Sequence, residues 1–259
     1  MKRFLIALQF LTTIPIEISA KGDSASGVLH KARRTPSTSC LEDGGKSAVE
    51  EKDFGGSLIY FPFVGMLIGI LLSFVNLIFF FLPNLVMSAL ILIISIMITG
   101  GIHVDGFADT CDGFFGVHSK EKILEIMKDS RIGAMGVIGV VCLLLLKFSL
   151  IAGLAHTMLW KALVMMCVFG RWSQVVACHI SGYARTEGKA KNFIGHADKK
   201  DIFVTSIFTF CLFTLLMQAK GIIIFFVSLV PIFLFIKYIK IRIGGMTGDT
   251  IGAVSEIIE

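Results

Sequence analysis

Six long apolar stretches constrain this chain more than any other feature of its sequence. A helix needs about 20 residues to cross roughly 30 Å of hydrocarbon. Stretches of about that length lie at 58–82, 85–104, 135–155, 157–181, 202–218 and 221–236. Hydrophobic residues make up 55% of the 259 residues, which is too apolar for a soluble domain of this size. The sequence therefore predicts an all-α, polytopic integral membrane bundle of about six to seven membrane helices, forming one domain over 1–259.

Two N-terminal segments differ from these spans. The run FLIALQFLTTIPI is shorter than a span and ends near Pro15, which favours an interfacial or re-entrant helix. Residues 17–57 mix both charges with Ser and Gly and show neither a helical nor a strand period. We therefore predict a flexible polar loop there.

The distribution of charge predicts the orientation of the bundle. If the first span starts in the cytoplasm, most of the 24 Lys and Arg lie in cytoplasmic segments, and only Lys220 lies in an opposite loop. All 19 Asp and Glu fall on the same side, and none lies inside a predicted span. Proton and ion pathways place ionisable groups at membrane depth. The pattern therefore favours a reaction centre at the cytoplasmic interface over a carboxylate-driven transporter.

The stretch GGIHVDGFADTCDGFFG carries three acids at helical spacing. Asp105, Asp109 and Asp112 are related as i, i+4 and i+7, so a helix would place them on one face. Like charges this close repel unless a cation lies between them, and Mg²⁺ takes oxygen ligands that it shares with substrate phosphates. We predict a metal site here; the alternative is that Asp105 caps a helix and the other two acids are solvated.

Two further motifs carry acids beside glycine or arginine. In KDSRIGAMG, Arg131 can bind phosphate, and Asp129 can complete a metal site or accept a proton from a substrate hydroxyl. In GGMTGDTIGAVSE, Asp249 and Glu256 lie seven apart on one helical face, and the glycines can expose amides to a phosphate. The alternatives are a capped helix start for the first motif and a flexible turn for the second.

Several cations can bind an anionic substrate. Lys147 and Arg171 lie well inside predicted spans, where a charge needs a cavity or a partner. Since no acid is available in the spans, a substrate anion or backbone carbonyls are the candidate partners, and Lys147 can alternatively snorkel. The loop SGYARTEGKAKNFIG offers Arg185 and Lys189 to a polyphosphate and Tyr183 to stack on a ring; otherwise it is a solvated basic loop.

In this order, the motifs resemble the adenosylcobinamide-GDP ribazoletransferases, also called cobalamin synthases. The segments that carry the resemblance are FLIALQFLTTIPI, YFPFVG, GGIHVDGFADTCDGFFG, IMKDSRIGAMGVIG, GRW, YARTEG and GGMTGDTIGA. They span nearly the whole chain, although the loop at 17–57 is longer than is typical of the family.

The resemblance implies a Mg²⁺-dependent transferase of the bacterial or archaeal inner membrane with a cytoplasmic active face. It would join adenosylcobinamide-GDP to α-ribazole, or to its 5′-phosphate, and release GMP. The metal would lie at Asp105, Asp109 and Asp112, because transfer at phosphorus depends on charge stabilisation. Either Asp129 or Asp249 would receive the proton of the attacking ribose hydroxyl.

The same resemblance gives roles to the basic groups and defines the partners. Arg131, Arg171, Arg185 and Lys189 would hold phosphate or nucleotide groups, and Tyr183 would stack on a ring. The partners would be these small-molecule substrates and membrane lipid, with no nucleic acid; association with other enzymes of the pathway stays open.

Two other functions compete with this one. A CDP-alcohol phosphotransferase of phospholipid synthesis also uses acids at the membrane face, but its pattern resembles DGxxAR. The segment DGFADT places Asp109 where that pattern wants another residue. A small-solute transporter would need acids or broken helices at membrane depth.

Overall fold

The protein is described by a computed structural model that covers residues 2–14, 51–116, 118–185, 188 and 190–259. Its helices are α1 Lys2–Leu11, α2 Glu51–Gly55, α3 Phe61–Ile78, α4 Asn84–Thr99, α5 Ile102–Phe114, α6 Lys120–Ile126, α7 Ala134–Gly153, α8 His156–Ile180, α9 Lys191–Gly195, α10 Lys199–Met217, α11 Ala219–Ile243 and α12 Gly248–Ile258. No strand forms within these residues, apart from an isolated bridge between Tyr183 and Met246. The prediction of an all-α fold is confirmed.

Five segments are long and apolar enough to cross a membrane, and a bent pair of helices adds a sixth if it counts as one span. The five are Asp53–Ile78, Ala134–Gly153, His156–Ile180, Lys199–Met217 and Ala219–Ile243. The bent pair is α4 with α5. The chain is therefore a multi-pass helical membrane protein, as the apolar stretches predict.

The bend between α4 and α5 corrects the predicted span at 85–104. Gly100 and Gly101 both take positive φ angles, of 64° and 68°, a conformation that glycine adopts without steric cost. The helix axis turns by 91° at this point. The apolar residues that follow therefore do not extend α4; they begin α5, the helix that carries the three acids.

The N-terminal region corrects part of the predicted polar loop. Residues 17–50 of that loop lie outside the described residues, but Glu51–Gly55 is helical. The preceding helix α1 is ten residues long, or about 15 Å, which is too short to span. The ring of Phe10 lies 6.0 Å from that of Phe61 and 4.7 Å from that of Phe193, so α1 packs on both α3 and α9.

The centre of the bundle is α8, which is buried almost throughout. The helix α3 lies directly against it, because Gly65 and Gly69 leave no space for a side chain: a Cβ on them would come within 2.4 Å of Cys167 O and 2.6 Å of Val164 Cα. Small residues are the usual means of such close packing in membranes. The outer helices α7, α10 and α11 instead expose large apolar side chains such as Leu146, Phe203 and Ile241.

Candidate active site

The site is built where α5 and α12 lie against each other in opposite directions. A Cβ on Gly106 would come within 2.7 Å of the Asp249 carbonyl oxygen, and one on Gly252 within 3.2 Å of His103 Cα. The two backbones are therefore almost in contact. This contact brings Asp249 to the face of α5 that carries the three acids.

Asp105, Asp109, Asp112 and Asp249 form what we call the acid cluster. Asp109 is half-buried at its centre, and the carboxylates of Asp249, Asp105 and Asp112 all repel its charge. The predicted common face of the first three acids is consistent with this arrangement. Because partial burial also weakens solvation of these charges, the cluster is unfavourable without a nearby cation.

Asp112 differs from the other three acids because both of its oxygens are bonded to backbone amides. Oδ2 accepts the N–H of Gly133 and Oδ1 accepts that of Gly136, each at 2.7 Å. These amides belong to the first turn of α7, where N–H groups lack helical partners and a negative charge is favoured. Asp112 therefore ties α5 to the start of α7.

The donor chemistry of the acid cluster fits a hard divalent ion that is shared with substrate. Among the described residues, no three Asp, Glu, His or Cys side chains converge into a closed ligand set. Mg²⁺ does not need such a set, since one or two carboxylates with water and substrate phosphates suffice. Asp105 and Asp109 offer oxygens of this type, and Asp105 is exposed. A metal at these acids stays a prediction.

Arg185 is the cation that the structure brings to the acid cluster. Its Nη2 lies 3.0 Å from Asp249 Oδ2 and also donates to the Met127 carbonyl at 3.3 Å. Burial raises the pKa of the Asp249 carboxyl above its ordinary value, although the charge of Arg185 opposes that rise. Asp249 therefore combines partial burial with a positioned cation, which suits a group that accepts a proton.

The predicted substrate loop lies beside the connection between α11 and α12. Ala184 N donates to Met246 O at 2.9 Å, and Met246 N donates to Gly182 O at 2.8 Å. These bonds bring Tyr183 and Arg185 to the segment that leads into Asp249, as their proposed shared role requires. Lys189, predicted for the same role, lies outside the described residues.

Asp129 and Arg131 contact each other. Arg131 Nη2 lies 2.7 Å from Asp129 Oδ2, and both side chains are exposed. The hydrogen bonds from Arg131 lower the pKa of the Asp129 carboxyl to about 2. Such a weak base accepts a proton poorly near neutral pH, whereas Asp249 lies in the acid cluster beside Arg185, so Asp249 fits the predicted role of base better.

The charges at membrane depth correct a sequence expectation. Arg171 donates to Glu259 and, at 2.9 Å, to Ser255 Oγ. Lys147 Nζ donates to Glu256 at 2.6 Å and to Glu259 at 2.8 Å. The expectation that a substrate anion or backbone carbonyls are the partners of these cations is wrong, because α12 folds back into the bundle and brings Glu256 and Glu259 to them. A contact between Arg171 and substrate was predicted because the spans offer it no acidic partner. Since Glu259 is such a partner, that reason no longer applies.

Sequence reasoning missed the role of Glu259 and Ser255 entirely. Glu256 was noted only for its position on the same helical face as Asp249. The available signal was the spacing of the two glutamates at i and i+3, which places both on one face of a helix. Since the spans contain no acid, a carboxylate partner for the buried cations had to come from outside them, but the sequence does not indicate which one.

Comparison with known proteins identifies relatives along the full chain. Residues 3–259 match the family described as cobalamin-5-phosphate synthase. A protein of Acetivibrio thermocellus named adenosylcobinamide-GDP ribazoletransferase is 35% identical over 99% of this chain and 94% of its own length. Proteins of the same name from Alkaliphilus metalliredigens and Fusobacterium nucleatum are 35% and 34% identical, over 100% and 99% of this chain and 92% and 94% of their own lengths. No solved structure matches the chain.

Proposed function

This chain belongs to the cobalamin-5-phosphate synthase family, and from that premise we propose that it catalyses the adenosylcobinamide-GDP ribazoletransferase reaction. The reaction joins adenosylcobinamide-GDP to α-ribazole, or to its 5′-phosphate, and releases GMP. The observation that carries the proposal is the acid cluster, in which α12 brings Asp249 beside Asp109 of α5 and the loop after α8 brings Arg185 to Asp249. Motifs that are distant in sequence thus meet in one site.

The chemistry of this transfer matches what the cluster offers. The ribose hydroxyl of α-ribazole forms a bond to the cobinamide-linked phosphorus, the bond from that phosphorus to the GMP oxygen breaks, and one proton leaves the hydroxyl. Asp249 receives that proton, and Arg185 orients the carboxylate and attracts a phosphate oxygen. Positioning and charge stabilisation supply most of the rate enhancement in such transfers.

A divalent ion has a defined place in this proposal. Mg²⁺ held by Asp105 and Asp109 would neutralise the diphosphate and the departing GMP. Asp112 contributes its charge beside them while its oxygens hold the start of α7. Arg131, whose side chain is 87% exposed and pairs with Asp129, and Tyr183 would contact the nucleotide.

We further propose that the acid cluster faces the cytoplasm of the inner membrane. Most Lys and Arg lie in segments on the side of the cluster, as the positive-inside rule requires. The exposed apolar side chains of α7, α10 and α11 fit a surrounding of lipid. Both substrates and the released GMP would then exchange with the cytoplasm.

The competing functions gain little from the structure. Charges at membrane depth and a broken pair of helices, α4 and α5, both occur, which removes two sequence arguments against a transporter. However, Lys147 and Arg171, which line a cavity inside the bundle, are each paired there with glutamates. The phospholipid-synthesis alternative is not favoured by the family or by the position of Asp109.

The decisive experiment uses purified protein in lipid vesicles with adenosylcobinamide-GDP, α-ribazole and Mg²⁺. We expect cobalamin and GMP in equal amounts, and no product after chelation of the metal. Asp109→Asn should abolish turnover while the protein stays folded and inserted. The matched control is Asp53→Asn, at an acid that pairs with Lys2 and Arg3 away from the cluster. Absence of product while a known ribazoletransferase is active in the same assay would refute the proposed function.

A further inference from the structure

Four charged side chains meet inside the bundle and form what we call the ion quartet. They are Lys147 of α7, Arg171 of α8, Glu256 of α12 and Glu259 at the C-terminal end of α12. Each of these side chains is at most 9% exposed. Lys147 bonds both glutamates, and Arg171 bonds Glu259, so three helices are joined at one point.

The quartet carries no net charge, since two cations face two carboxylates. Its cations are thus already compensated, and an anionic substrate group is not needed to satisfy them. Buried ion pairs contribute little net stability compared with apolar packing, but removal of one partner is strongly unfavourable. A role in fixing the position of a helix therefore explains the quartet better than a role in binding.

The position of α12 along its axis needs such a device. Its backbone comes closest to that of α5 at Gly106 and Gly252, where no side chain lies between the two helices to resist sliding. A capping box between Thr247 and Thr250 satisfies the amides of its first turn, and the quartet ties its other end to α7 and α8. Because a helix rises about 1.5 Å per residue, a slip of one residue would shift Asp249 by about that distance.

We propose that the ion quartet sets the axial position of α12 and thereby places Asp249 beside Asp109. Lys147, Arg171, Glu256 and Glu259 are accordingly positioning residues, which act on the reaction through Asp249. The kinetic part of this inference rests on the proposed function, and the structural part does not.

The test uses the charge balance of the quartet. Lys147→Met leaves one net negative charge, Glu256→Gln leaves one net positive charge, and the double variant leaves the neutral Arg171–Glu259 pair. We expect each single variant to lower kcat by about 100-fold, the typical effect of a misplacement of about 1 Å, with little change in KM. The double variant should recover most of the loss.

Two further readouts separate positioning from general damage to the fold. In an Asp249→Asn background, the single variants should cause little additional loss of kcat, because the residue through which they act is already gone. Deuterium exchange of the amides of 248–258 should rise in the single variants and fall again in the double variant. The matched control is Lys161→Met, since the Lys161 ammonium lies 5.6 Å from the Trp160 ring centroid at the start of α8; it should change neither quantity.

Any of three results would overturn the proposal. The single variants could keep the wild-type kcat, or the double variant could have a kcat no higher than that of either single variant. The third result is a loss of kcat in the Asp249→Asn background as large as in the wild-type background. If a single variant fails to insert, Ser255→Ala provides the test, because it removes only the hydrogen bond to Arg171 Nη1. It should give a smaller loss of kcat that disappears in the Asp249→Asn background. If the wild-type protein makes no cobalamin, the proposed function fails, and amide exchange alone decides the role of the quartet.

Discussion

Replacement of Asp112 by Asn should lower the stability of the protein, and it should weaken metal binding less than replacement of Asp109 does. The wild-type carboxylate accepts two amide N–H groups at 2.7 Å in a partly buried place. An Asn can accept one of them, but its NH₂ group then faces the other donor. A hydrogen bond to a charged group contributes about 1.5–3 kcal/mol, and the charge also favours the helix start by about 0.3–1 kcal/mol. We therefore expect a loss of about 2–3 kcal/mol in the free energy of unfolding.

The matched variant is Asp109→Asn, which should behave in the opposite way. Asp109 is repelled by Asp249, Asp105 and Asp112, so its neutralisation should leave stability unchanged or increased. It should also abolish binding of Mn²⁺, used as a spectroscopic substitute for Mg²⁺. The assay combines unfolding by denaturant in mixed micelles with Mn²⁺ titration followed by electron paramagnetic resonance.

The two variants together decide the role of Asp112. If Asp112→Asn is as stable as the wild type and loses Mn²⁺ as completely as Asp109→Asn, then Asp112 is a metal ligand and not a tie between α5 and α7. An intermediate loss of Mn²⁺ with the expected destabilisation would fit the tie, because the backbone beside the cluster would then move.

The remaining predictions concern the proton acceptor and the contact between α5 and α12. Burial raises the pKa of Asp249, and only its ionised form accepts a proton, so kcat should fall as the pH drops through that raised pKa, above the ordinary value of about 3.9. Asp249→Asn should remove this acid limb from the pH profile, whereas Asp129→Asn should leave it in place, because Arg131 keeps the pKa of Asp129 at about 2; the reverse result would exchange their roles. Gly106→Ala would put a methyl group 2.7 Å from Asp249 O and should cost about 1–3 kcal/mol of stability along with activity. Gly153→Ala, whose Cβ would meet nothing within 4 Å, is the control, and equal thermal stability of the two would contradict the close contact.

Features that depend on local periodicity could be predicted from the sequence. The apolar stretches indicate the long helices because each helix satisfies its own backbone in lipid. The spacing of Asp105, Asp109 and Asp112 predicts a common face because the helical period fixes it. The resemblance to a family adds the order of the motifs, and the comparisons confirm that membership.

Features that depend on distant contacts could not be predicted. Lys147 and Glu256 lie 109 residues apart, and nothing local to either residue indicates the other. The spacing of Asp112 from Asp105 and Asp109 suggests a metal ligand, yet its oxygens accept hydrogen bonds from backbone amides 21 and 24 residues further along the chain. At Gly100 and Gly101 the flanking residues are apolar on both sides, so hydropathy continues through a break that only backbone geometry reveals.

The return of α12 into the bundle also has a consequence for biosynthesis. Chains are made from the N-terminus, and α12 follows every other described helix. Lys147 and Arg171 therefore enter the membrane before the glutamates that neutralise them exist. Until α12 is synthesised and inserted, the nascent protein carries two uncompensated cations and an incomplete acid cluster. A chain interrupted before α12 would therefore lack Asp249 and would keep Lys147 and Arg171 at membrane depth without these glutamates.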